Sequence, residues 1–191
     1  MEYNIEKREI TINRKLNELD KFALEFIKII EKYTDYVIIS GYISILLGRA
    51  RATEDIDMFI QKIPKEKFSV LYNDLKNNGF WCLNAEDVNE IFDYLEEGLA
   101  VRFARLNQAI PNFEIKYPQR IIDKETFNDY LIAILQNGKL KISSLERQIA
   151  FKRFYLKSEK DIEDAVHIEE LFKEKIDNDK INKLKRIIEK L

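Results

Sequence analysis

The sequence is poor in the residues that build disulfide-stapled, zinc-bound or linker-rich proteins: it has one cysteine, one histidine, three prolines and five glycines. A lone Cys82 excludes an intramolecular disulfide and fits a reducing compartment. His167 has no second His or Cys near it in the chain, which sets aside zinc knuckles and leaves it a packing or surface role. No apolar run approaches the ~18 residues of a membrane helix, and the opening MEYNIEKREI has no apolar signal-peptide core. A cytoplasmic protein without membrane association is therefore expected. Neither sign of charge dominates, since 32 Lys and Arg face 34 Asp and Glu. Contact with RNA would need a local basic patch. At 191 residues the chain can bury a sizeable core as one domain, or as a domain with a helical extension.

What is present concentrates in residues 37–60, VIISGYISILLGRARATEDIDMFI. The β-branched run Val37-Ile38-Ile39 ends in Ser40-Gly41, and a short helix-like stretch follows, so the glycine sits at a strand-to-helix turn. Backbone without Cβ can approach a ligand there, and the N–H groups of a helix start can hold phosphate oxygens. Beyond Arg51 and Thr53, Asp55 and Asp57 lie in a second apolar run. Side chains two apart on a strand share a face, so the two carboxylates stand side by side. Like charges so close disturb each other unless a cation lies between them, and a hard divalent ion prefers such oxygen ligands. The plainer alternative is a strand end whose two acids face water.

The stretch resembles the signature of the nucleotidyltransferase superfamily, a Gly-Gly or Gly-Ser turn followed by an acid-apolar-acid strand. It is most similar to the AbiEii/MenT-like toxin and minimal nucleotidyltransferase branch, here as Ser40-Gly41-Tyr42-Ile43, Gly48 and Arg51-Ala52-Thr53-Glu54-Asp55-Ile56-Asp57. Ser40 replaces the first glycine of the turn. The resemblance implies a nucleoside triphosphate as substrate, Mg2+ or Mn2+ on Asp55 and Asp57, and nucleotide contacts from Ser40, Gly41, Tyr42, Arg51 and Thr53. Tyr42 could approach the base or ribose, whereas Trp81 and the other aromatics read as core.

Transferases of this type are similar in needing one more acid from a neighbouring strand, either as a further metal ligand or to take the proton from the attacking hydroxyl, and Glu114 is the candidate for it. Glu114 alternates with Phe113 and Ile115 and so points away from their apolar face, the required direction if its strand lies beside Asp55 and Asp57. An edge-strand glutamate facing solvent is the alternative, because strand pairing cannot be read from one sequence. Downstream, Ser143-Ser144-Leu145-Glu146 through Lys152, followed by Ser158 through Ala165, resembles the family's later pattern of a serine-started helix bearing a lysine and an acidic helix start. The serines have helix-capping spacing. The family implies that Lys152 neutralises triphosphate charge, with Lys160 in support and Asp161 and Asp164 holding Lys152 or a basic neighbour in place. Asp161 and Asp164 are also ordinary favourable charges at a helix N-terminus.

Periodicity predicts helices over Asn13–Tyr33, Lys65–Asn78 and Asp87–Glu97, and strands over Phe80–Leu83, Leu99–Leu106 and Phe113–Tyr117. Asn137-Gly138 between apolar runs predicts a tight hairpin. From Ser144 the pattern is helical, ending in an amphipathic Asp177–Leu191 that packs on the body or on a second subunit as a homodimer. The expectation is an α+β fold, a mixed nucleotidyltransferase-like sheet flanked by helices, with an α/β core over residues 1–143 and a helical extension over 144–191. The resemblance implies transfer of a nucleotide to RNA such as the tRNA acceptor end, or to a protein hydroxyl, within a toxin-antitoxin pair. A catalytically degenerate binding relative and a small-molecule transferase of aminoglycoside type are the alternatives.

Overall fold

The β-branched and aromatic runs form strands and the 3.6-periodic runs form helices, in a computed structural model that describes residues 1–191. In chain order these are β1 (Glu2–Asn4), β2 (Glu9–Thr11), α1 (Glu18–Ile30), β3 (Tyr36–Ile38), α2 (Gly41–Leu46), β4 (Asp55–Ile60), α3 (Lys65–Asn77), β5 (Phe80–Cys82) and α4 (Val88–Glu96). Then come β6 (Val101–Arg105), β7 (Asn112–Lys116), α5 (Ile121–Lys124), β8 (Tyr130–Leu135), β9 (Gly138–Ser143), α6 (Leu145–Phe151), a π-helical turn at Lys152–Leu156, α7 (Glu159–Leu171) and α8 (Asn178–Ile188). One mixed sheet of nine strands runs β1-β2-β8-β9-β3-β4-β7-β6-β5. The fold is α+β, a mixed sheet flanked by eight α-helices, with a helical C-terminal part.

One face of the sheet is packed by aromatic side chains of α1. Phe22 and Phe26 stack on Phe113 of β7 with centroids 5.4 and 4.3 Å apart. Phe26 is fully buried, and burial of such a side chain stabilises by about 1.5–3 kcal/mol. The helix starts later than its periodicity predicts because Asn17 and Asp20 form a reciprocal capping box. The residues before it continue from β2, with Ile12 N–H bonded to Ile134 O at 2.8 Å.

Two differences from the sequence reading have local causes. β1 and β2, three residues each, are too short to show a period of two. The hairpin loop is Gln136-Asn137, because Gly138 pairs with Leu135. Gly138 answers to packing: a Cβ there would lie 2.8 Å from Leu24 Cδ2. The helical C-terminal part shares the core of the sheet, since Ile149, Ala165, Ile168, Leu184 and Ile188 belong to the same cluster of 46 buried residues as Phe26 and Phe113.

Candidate active site

β4 and β7 are parallel neighbours, in a register that sets Asp55 opposite Asn112 and Asp57 opposite Glu114. Asp57 and Glu114 thus lie side by side, with Asp55 two residues along the same face. Each acid has a partner. The Thr53 hydroxyl donates to Asp55 Oδ1 at 3.0 Å. Arg102, opposite Glu114 on β6, donates from Nε and Nη2 to Glu114 Oε2 at 3.1 and 3.0 Å. Lys116 Nζ lies 3.7 Å from both Asp57 Oδ1 and Glu114 Oε1. Burial pushes the Asp57 carboxyl above its ordinary range; Lys116 pulls it back, Glu114 and Asp55 push it further, and the facing Ser40 hydroxyl lowers it.

The oxygen-only donor set, with Asp55 and Asp57 on one face, fits a hard divalent cation. With Thr53, Lys116 and Arg102 engaging them, no three acidic, His or Cys side chains converge into a ready-made cage.

The turn before α2 is held in a rare conformation. Ser40 has φ 63° and ψ −139°, at the edge of a backbone region that is essentially restricted to glycine. Gln148 of α6 clamps it: with the amide oriented as its neighbours require, its nitrogen donates to Ser40 O at 3.2 Å and its oxygen accepts from Ser40 N at 3.1 Å. Gly41 lets Arg51 pack closely, because a Cβ there would meet Arg51 Nη2 at 3.3 Å and push the guanidinium back by a few tenths of an ångström.

Behind the turn, one buried carboxylate gathers three cations. Asp164, fully buried, accepts from Lys152 Nζ at 2.7 Å and pairs with Arg49 and Arg51. Burial pushes its carboxyl up, but the hydrogen bonds from Lys152 and Arg49 outweigh that and hold it below the usual range. Lys152 also donates to Asp161 Oδ1 at 3.2 Å, and Asp161 in turn is bonded to Ser158, the N-cap of α7.

A cavity of about 480 Å³ opens beside Ser40 and Asp57, between the sheet face that bears the acids and the α6 and π-helical segment. Lys116, Arg120, Phe151 and Tyr155 line it. Arg120, held by Asp123, lies 4.8 Å over the Tyr155 ring. The buried Ser143 hydroxyl, also in the lining, has no hydrogen-bond partner. π-Helical turns are rare and frequent at functional sites.

Several expected nucleotide contacts have other occupations. Tyr42 is fully buried and its hydroxyl donates to Asp20 Oδ1 at 2.9 Å, so it does not reach a base or ribose; its ring faces the core because α2 packs that side inward. Lys152 lines the cavity, but at 1% exposure its ammonium is already neutralised by two carboxylates. Arg51 is turned to Asp164 and Thr53 to Asp55. Lys160 contributes its backbone carbonyl, which accepts from Arg49 at 2.9 Å. The helix start offers little, because α2 has six residues and Gly41 is buried. His167 has a packing role, its Nε2 3.1 Å from Leu47 O at the end of α2.

Sequence reasoning missed Lys116, Arg102, Arg49, Arg120 and Gln148. Lys116 had a legible signal, since Glu114-Ile115-Lys116 places it on the same strand face as Glu114. Arg102 depends on strand pairing, Arg49 and Gln148 on contacts across more than a hundred residues, and Arg120 on the fold that brings it to the Tyr155 ring.

No protein-family profile matches the chain, and no curated protein does. Among solved structures, an antigenic nucleotidyltransferase-like protein from Paracoccidioides brasiliensis superposes with a TM-score of 0.54 at 16% identity, over 88% of this chain and 85% of that one. A likeness at that identity speaks for architecture and leaves chemistry to the site. The chain has a nucleotidyltransferase-like fold.

Proposed function

We propose that the protein is a metal-dependent nucleotidyltransferase of the AbiEii/MenT-like branch, moving a nucleoside monophosphate from a triphosphate to a hydroxyl acceptor. The observation that carries this reading is the parallel register of β4 and β7, which lines Asp55, Asp57 and Glu114 along one face, with Asp57 in the wall of the cavity. Asp55 and Asp57 would hold Mg2+ or Mn2+, and the raised Asp57 carboxyl is the group whose charge a cation would relieve. When bound, the metal supplies charge neutralisation for the triphosphate and the departing pyrophosphate.

The chain's own groups do the rest. Arg102 fixes one oxygen of Glu114 and leaves the other facing the acids, where it orients the acceptor hydroxyl and takes its proton. The acceptor oxygen bonds to the α-phosphorus as the bond to pyrophosphate breaks. Lys116 and Arg120 face the phosphates, and the Tyr155 ring offers a stacking surface to the base. The acceptor we propose is RNA, the tRNA acceptor end in particular, in a protein held in check by a cognate antitoxin.

The test is incubation with each α-labelled triphosphate, Mg2+ or Mn2+, and either total RNA, protein or small hydroxylated compounds. Label transferred to RNA by the wild type and not by Asp57→Asn is the expected result; no label in any acceptor and no pyrophosphate released would defeat the reading. One observation favours a second reading, a nucleotide-binding relative without catalysis: all three acids already have partners. Such a protein would bind triphosphate with no dependence on metal.

A further inference from the structure

We infer that Lys116 is a built-in counter-cation that neutralises the metal-holding Asp57 in the nucleotide-free protein and is displaced into the cavity when metal and triphosphate arrive. This rests on the metal-dependent reading above. Lys116 stands on β7 two residues beyond Glu114, opposite Phe59, so its stem leans back along the acid-bearing face. Its ammonium lies 5.9 Å from the Phe59 ring centroid. It is 3.7 Å from one oxygen of Asp57 and 3.7 Å from one oxygen of Glu114. Direct charge-assisted bonds are shorter, about 2.7–2.9 Å. The ammonium is therefore shared between two carboxylates rather than committed to either, and it supplies Asp57 with the positive charge that a metal would otherwise bring.

The remaining charges nearby leave that role to Lys116 alone. Arg102 is bonded to the other oxygen of Glu114, and Asp55 is turned to Thr53. Mg2+ held by Asp57 would stand about 2.0–2.1 Å from its ligand oxygen, and its charge would repel the ammonium from that carboxylate. Lys116 has somewhere to go: its side chain is 30% exposed and it lines the cavity. There its ammonium meets the triphosphate. Metal-free, the site is neutralised from within; loaded, the same lysine becomes a phosphate ligand. Metal and nucleotide affinity are thereby linked, since the triphosphate rewards the lysine for leaving the acids.

The experiment measures Mn2+ binding to nucleotide-free protein by calorimetry for wild type, Lys116→Met and Asp57→Asn, and then binding of a nonhydrolysable triphosphate to each Mn2+-saturated protein. Thermal melts check that the variants are folded. Lys116→Met keeps the aliphatic stem and is expected to bind Mn2+ about tenfold more tightly than wild type, the scale of two weak ion pairs removed. It is expected to bind the triphosphate about tenfold more weakly, the scale of one charge-assisted contact, whereas Lys116→Arg retains triphosphate binding. Equal Mn2+ affinity in wild type and Lys116→Met, with Asp57→Asn losing the metal, overturns the role of Lys116 and leaves the metal site standing. Absence of saturable Mn2+ binding in wild type and Lys116→Met alike overturns both together.

Discussion

Ser40 offers a direct test of backbone strain at the site. Replacing it by glycine and, separately, by alanine removes the hydroxyl that faces Asp57 in both variants, so the difference between them reports the backbone alone. At an ordinary position alanine is the more stable of the two, because glycine gives the unfolded chain more freedom, worth about 0.4–1 kcal/mol. At φ 63° and ψ −139° the alanine Cβ keeps a strain of about 1–3 kcal/mol that glycine lacks. Strain of about 2 kcal/mol against entropy of about 0.7 inverts the usual order, leaving Ser40→Gly more stable than Ser40→Ala by about 1 kcal/mol. Urea unfolding of both variants reads this as a higher midpoint for glycine at equal slope. In thermal melts the gap is about 2–4 °C for a chain of this size. Ser40→Ala equal to or more stable than Ser40→Gly would show that the turn relaxes in solution and carries no strain.

The acids and the buried lysine supply the remaining predictions. In the unfolded chain Asp57 titrates near the ordinary 3.8, whereas the folded state, chiefly through burial, holds its proton to higher pH. Between those two values the folded state binds more protons than the unfolded, so this group's contribution to stability falls as pH rises through the window. Asp57→Asn is expected to abolish transfer while gaining stability relative to wild type as pH rises above 3.8, with the gain fading below it; parallel pH–stability curves would contradict the burial account. Lys152→Ala leaves Asp161 and Asp164 short of a buried cation, though Asp164 keeps Arg49 and Arg51. A loss of about 3 kcal/mol in urea unfolding is expected, the low end for breaking a buried pair. Unchanged stability with weakened triphosphate binding would mean that the ammonium serves nucleotide instead.

Much of the fold was legible because its signals are local. The acid-apolar-acid strand, the β-branched run ending at Ser40-Gly41 and the periodic helices from Ser144 onward each declare themselves within a few turns of chain. That Asp55 and Asp57 share a face follows from the period of a strand. That Glu114 lies beside Asp57 required the parallel pairing of β4 with β7, a long-range choice that alternation narrows without deciding. Tyr42 shows the limit from the other side: its place after the glycine turn reads as a ligand position, yet its ring volume was needed in the core and its hydroxyl by buried Asp20. The occupations of Arg51 and Thr53 were illegible for a related reason, since residue type tells what charge is offered and only packing tells which partner has already taken it.

The clamp of Gln148 on Ser40 and the gathering of Arg49, Arg51 and Lys152 on Asp164 also set the order in which the molecule can be completed. A chain emerging from the ribosome makes β3, α2 and β4 early, but the amide that pins the turn and the carboxylate that anchors the two arginines come about a hundred residues later. Until they arrive, Arg49 and Arg51 have no buried partner and the turn has no reason to keep a glycine-like backbone. A nascent or truncated chain therefore carries the acids without the pinned turn or the anchored arginines beside them.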